Sequence, residues 1–193
     1  MIKINALPLA FAYFCGISSK LAARGQVGTL EIDEVATNAI FSATTDNDFL
    51  TEWEAILPEH DSIPSPRDVL GYTIGTPGEL TQVEQIYGYF NALAQASDRV
   101  EVFSLGESFE GRDMLVVAIS AADNLANIET YKGYLNTLSD PRNLNRPTAN
   151  EIIEDALPIF WMTAGLHSPE LGPPEMVMEL AYRLAVETRE PFG

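Results

Sequence analysis

The sequence predicts an α/β domain, and three observations carry the prediction. Val83, Ile86, Tyr87, Phe90, Leu93 and Ala94 recur at the spacing of one helix face. Two short runs rich in β-branched and apolar residues, 100–105 and 114–119, flank a Gly-containing connection and read as antiparallel strands. A uniformly apolar run, Pro158-Ile159-Phe160-Trp161-Met162, leads through a loop into an amphipathic helix over 176–186. Its lack of alternation is the pattern of a strand covered on both faces. An apolar content of 46% supports one packed core.

Taken in order, the chain begins with Lys3 and a largely apolar stretch from Ile4 to Ile17, interrupted at Asn5 and Pro8. Small residues follow at Ser18, Ser19, Ala22 and Ala23. This is the layout of a secretory signal peptide and is too short for a membrane span. Residues 1–23 are therefore expected to be a leader, and the protein secreted or periplasmic. An N-terminal buried helix is the other reading of the same stretch. Cys15 follows bulky Phe14, which argues against lipidation.

From 24 to 62 the text is polar and acidic, with no periodicity around Thr44-Thr45-Asp46-Asn47-Asp48, and reads as a flexible lead-in. A short propeptide would look the same. Trp53 and Ile56-Leu57 could dock on a domain surface. The domain proper is expected from Ile63, where Pro64 and Pro66 hold the backbone extended. Thr81-Gln82-Val83-Glu84 has the form of a capping box for the first main helix. Leu125, Ile128, Tyr131, Leu135 and Leu138 suggest a helix over 124–138, ended by Asp140-Pro141. Thr148-Ala149-Asn150-Glu151 has the form of a second capping box. Gly172-Pro173-Pro174 opens the last helix, whose expected buried stripe is Met176, Val177, Leu180, Ala181 and Leu184.

Charge and composition exclude several functions. With 28 acidic against 11 basic residues and a net charge of -17, the chain lacks the basic surface that nucleic acid requires. One cysteine rules out an intrachain disulfide and a cysteine zinc cage. No Gly-x-Ser-x-Gly elbow and no Gly-x-x-x-x-Gly-Lys phosphate loop is present. Histidine occurs only at His60 and His167. His60, between Glu59 and Asp61, reads as an exposed, solvated side chain.

His167 is different. Thr163-Ala164-Gly165-Leu166-His167-Ser168-Pro169-Glu170 joins a strand end to a helix start, the place where open α/β sheets bind ligands. His167 and Glu170 can present a nitrogen and a carboxylate to one point, which is two-thirds of the protein ligand set of a catalytic zinc. On spacing alone a second reading stands beside this one. His167 would then be a hydrogen-bonded structural residue and Glu170 a carboxylate favoured at a helix N-terminus.

Three segments together carry a resemblance. Asp68-Val69-Leu70-Gly71-Tyr72, then Ser104-Leu105-Gly106-Glu107-Ser108-Phe109-Glu110-Gly111-Arg112, then Gly165 to Glu170 are similar, in order, to the N-terminal portion of the M14 family of zinc carboxypeptidases. The resemblance runs from about Ile63 onward and implies a mixed sheet with helices on both faces. It implies zinc as cofactor, held by His167, Glu170 and a second, downstream His. It also implies peptide or protein substrates, cleaved by zinc-activated water with help from a downstream glutamate. Arg112 is read as a structural hairpin residue. Pro169 stands where pancreatic-type members carry an Arg, so their substrate preferences are not carried over.

The chain ends at Gly193, one helix past the motif. The expectation is therefore a domain truncated on its C-terminal side, with the general base and substrate-carboxylate residues beyond that point and no peptide hydrolysis by this chain alone. The competing class is a peptidase-like binding or structural module without catalysis. A plain α/β domain with a structural His167 would not respond to zinc.

Overall fold

The computed structural model describes residues 9–14, 31–51 and 53–187. Its centre is a four-stranded mixed sheet in the order β2-β3-β1-β4. The strands are β1 (Leu9–Phe14), β2 (Val100–Glu107), β3 (Asp113–Ile119) and β4 (Ile159–Thr163). β2 and β3 form the antiparallel hairpin read from the sequence, with Val102 opposite Val117. β1 runs parallel to β3 and antiparallel to β4.

Side chains alternate across a strand, so β3 feeds both faces of the sheet. Leu115, Val117 and Ile119 point into the main core. Onto that face pack α3 (Val83–Ala96), through Ile86, Tyr89, Phe90 and Leu93, and α7 (Gly172–Val186), through Val177, Met178, Ala181 and Tyr182. Ala118 points the other way, toward Leu125 on α4 (Ala122–Ala126) and Ile128 and Tyr131 on α5 (Ile128–Ser139). The α/β class, the mixed sheet and the helices on both faces are thus present.

Several local expectations are corrected. Helix α3 is capped by Gln82, not Thr81, with Gln82 and Gln85 exchanging the box hydrogen bonds. Thr81 is drawn away because its hydroxyl donates to the Glu175 carboxylate, 2.5 Å distant. Helix α6 (Arg146–Asp155) begins at Asn145, whose side chain accepts from Thr148 N, so Thr148 lies inside the helix. The helix expected over 124–138 is broken at Asn127 into α4 and α5. Met176 is exposed, and Met178 and Tyr182 take part in the buried stripe instead. β4 is an edge strand rather than one covered on both faces, with Phe160 58% and Trp161 53% exposed. α3 and α7 lie over β2 and β3, leaving the aromatic pair outside their cover.

The acidic stretch is also corrected over 31–51 and 53–62, which are folded. Asp33 caps α1 (Glu34–Ala43) by accepting from Ala36 N at 2.8 Å. Asp33 N donates to Leu57 O and Glu59 N to Glu31 O, so the stretch closes on itself. Ala36 and Leu57 enter the main core. Ser65 and Asp68 form a capping box on α2 (Pro66–Leu70). Residues 24–30 lie outside the described residues. Of the expected leader, β1 is described, and the region of its expected cleavage, 21–23, lies outside. Among the described residues, no helix is long and apolar enough to cross a membrane.

Candidate metal centre

The loop after β4 is shaped by steric constraints. Gly165 has φ of 73°, a left-handed conformation that costs a residue with Cβ about 1–2 kcal/mol. A Cβ there would also lie 3.0 Å from Pro174 Cγ, a tight contact to which the proline ring in the first turn of α7 would have to yield. Beyond Gly165 the chain makes a turn in which Glu170 N donates to His167 O at 3.0 Å.

That turn brings the two side chains together. His167 Nδ1 lies 2.6 Å from Glu170 Oε1, and the other carboxylate oxygen accepts from His167 N at 3.2 Å. A carboxylate can only accept, so Nδ1 carries the shared proton. The imidazole hydrogen bond, reinforced by the backbone amide, holds the Glu170 carboxyl below the usual carboxylate range. Both groups face solvent, with 70% and 41% of their side chains exposed. The sequence pair is therefore a spatial pair at the carboxyl end of a strand.

A model of the zinc carboxypeptidase family matches residues 86–191, just over half of the chain. The chain belongs to the zinc carboxypeptidase family. The match runs from α3 through the loop to the end of α7 and beyond. Comparisons with curated proteins and with solved structures give no match.

Family members bind zinc, and the donors present in this zinc carboxypeptidase chain suit the ion. An imidazole nitrogen and a carboxylate oxygen are both preferred zinc donors. Zinc held by both would release the proton that joins them, and the two donors would have to part from 2.6 Å, since each stands about 2.0–2.2 Å from the ion in a tetrahedral site. Among the described residues, no third His, Cys, Asp or Glu joins the pair into a metal-binding group.

Beside the pair opens a cavity of about 160 Å³. His167, Glu170 and Leu171 line it together with Thr81, just before α3, and Val83, Ile86 and Tyr87 from the start of α3. Tyr87 also ties α3 to the hairpin, its hydroxyl donating to Asp113 O at 3.0 Å. Thr81 and Tyr87 were missed as site neighbours because their spacing marked them only as helix cap and helix stripe.

The remaining candidates lie elsewhere. His60 Nδ1 accepts from Ser62 N and Ile63 N at 3.2 and 3.1 Å, a local cap beside Glu59 and Asp61 at a separate cavity. Arg112 pairs with Glu110 at 3.1 Å, is largely exposed, and does not line the His167 cavity. It serves the hairpin turn, where Arg112 N donates to Ser108 Oγ.

Proposed function

We propose that the protein is a zinc-dependent metallocarboxypeptidase acting on peptide or protein substrates, with His167 and Glu170 as zinc ligands. The observation that carries this reading is the 2.6 Å approach of His167 Nδ1 to Glu170 Oε1 on the loop of a zinc carboxypeptidase-family chain. When bound, zinc supplies a Lewis acid that polarises a peptide carbonyl and lowers the pKa of water. His167 and Glu170 would hold the ion. Val83, Ile86 and Leu171 give the cavity beside the pair an apolar lining. The net charge of -17 argues against nucleic acid as a partner. Lys3 and the apolar run after it have the layout of a secretory leader, although residues 9–14 of that run form β1 between β3 and β4, so its cleavage would remove a central strand. N-terminal sequencing of exported protein tests that point, and an intact Met1 on it would refute it.

The second reading is a peptidase-like module that binds zinc or peptide without cleavage. It is favoured by the lack of a third donor beside the pair among the described residues. Thermal denaturation with and without zinc, run alongside release of C-terminal amino acids from a blocked peptide, separates the two. Zinc at 100 times its Kd stabilises by about 2.7 kcal/mol, which raises the midpoint by roughly 5–10 °C for a chain of this size. The shift is expected to vanish in His167→Ala and Glu170→Ala. Release that a chelator stops selects the peptidase. A zinc shift without release selects the module when it is seen in a longer chain that carries a downstream His and Glu, and no shift at millimolar zinc in that longer chain overturns the ligand assignment.

A further inference from the structure

We infer that Glu175 is a positioning residue for the zinc loop, an inference that rests on reading His167 and Glu170 as the ligands. Glu175 stands in the first turn of α7, directly after the loop. Its carboxylate gathers three donors from a distant part of the chain. Oε2 accepts from Gly75 N at 2.7 Å, and Oε1 accepts from the Thr81 hydroxyl at 2.5 Å and from Thr81 N at 3.3 Å. The Thr81 hydroxyl also meets Tyr72 OH at 2.8 Å. A helix-dipole preference alone would place an acid in this turn but would leave its side chain in water. The convergence of two backbone amides and a hydroxyl requires a group with two acceptor oxygens and no donor, which is a carboxylate.

The consequence lies in what this tie restrains. The first turn of α7 is held on one side by Glu175 against the 75–81 loop and on the other by Pro174 against Gly165. Gly165 begins the turn that carries both ligands, and α7 begins where that turn ends. Both ends of the ligand turn are thereby anchored. The same Thr81 lines the cavity beside the ligands, so the tie also fixes the wall facing them. The later turns of α7 are secured separately by Val177, Met178, Ala181 and Tyr182 in the core. Loss of Glu175 therefore loosens the ligand turn while the helix stays docked.

The test is zinc affinity of the full chain, by competition with a chromophoric chelator, in native protein and in Glu175→Gln. Glutamine keeps the shape but sets an NH2 group against a donor. Zinc binding is expected to weaken roughly tenfold, as for other residues that orient metal ligands. Thr81→Val, which keeps the shape and lacks the hydroxyl, is expected to weaken it less. Tyr182→Phe serves as the control for general destabilisation on the same helix. It removes the hydrogen bond to Pro58 O and is expected to lower the denaturation midpoint with Kd unchanged. Native protein that ignores zinc overturns the ligand reading and this inference with it. Native protein that binds, with Glu175→Gln within twofold of it, overturns this inference alone. If Glu175→Gln does not fold, an unchanged Kd in Thr81→Val overturns it.

Discussion

Arg183 offers the sharpest test of how the acidic segment belongs to the fold. Its side chain is 4% exposed on α7. Nε and Nη2 both donate to Glu179 Oε1, at 2.8 and 2.6 Å. Nη1 donates to Trp53 O and Ile56 O, at 2.6 and 2.5 Å, and Nη2 reaches Glu54 O at 3.3 Å. The guanidinium also stands 5.3 Å from the centroid of the Trp53 ring. One side chain thus ties the 53–56 backbone to the helix that follows the His167 loop. Arg183→Met removes the donors and leaves a carboxylate and three backbone carbonyls without them. Breaking a buried pair from one side costs about 3–5 kcal/mol. Glu179 keeps 22% of its side chain in water, which places the expected loss near the lower end, about 3 kcal/mol. Against a typical domain stability of about 5–15 kcal/mol, that is a large share. Urea denaturation followed by circular dichroism measures it. Replacing Glu179 by Met in the same chain is expected to recover part of the loss, because no unpaired carboxylate then remains. Limited proteolysis within 44–51 is expected to accelerate in the single variant. A loss under about 1 kcal/mol with unchanged cleavage would refute the clamp.

Two further predictions concern alkaline stability and the zinc loop. Burial raises the Tyr182 phenol above its ordinary range, with Asp68, Asp33 and Glu59 adding to the effect, and burial likewise raises Tyr89. The raised folded-state values mean that this stability is fully present below about pH 10, where the unfolded phenols ionise, and is lost as pH rises beyond it. Each tyrosine adds up to about 1.4 kcal/mol per pH unit to that decline, so Tyr182→Phe is expected to flatten the stability profile between pH 10 and 11, measured by denaturant titration. An equal slope in the variant refutes the assignment. At Gly165, substitution by Ala meets both the positive φ and the Pro174 contact. It is expected to cost about 1–2 kcal/mol and to shrink the zinc-induced thermal shift. An unchanged midpoint and shift would show that the loop relaxes freely.

Where a local pattern specifies an element, that element was legible in the sequence. The stripe from Val83 to Ala94 marks α3, the runs on either side of Gly111 mark the hairpin, and the apolar run ending at Met162 marks β4. The juxtaposition of His167 and Glu170 was legible for the same reason, since a short turn brings them together without help from afar. Partner choice over long distance was not legible. Thr81 reads as a helix cap until Glu175 is placed beside it, and the hydroxyl then takes the stronger, charged acceptor. Residues 31–62 read as solvated because their few apolar groups cannot form a core alone. They fold because Arg183, Tyr182 and the main core supply donors and apolar surface from the far end of the chain. The exposure of Phe160 and Trp161 was likewise hidden, because an apolar run does not say which faces its neighbours will cover. Periodicity and spacing thus determined the elements and the juxtaposition of His167 and Glu170, through forces acting over a few residues. The tertiary structure decided the partners of polar groups, because a hydrogen bond or ion pair forms only where folding brings donor and acceptor within about 3 Å.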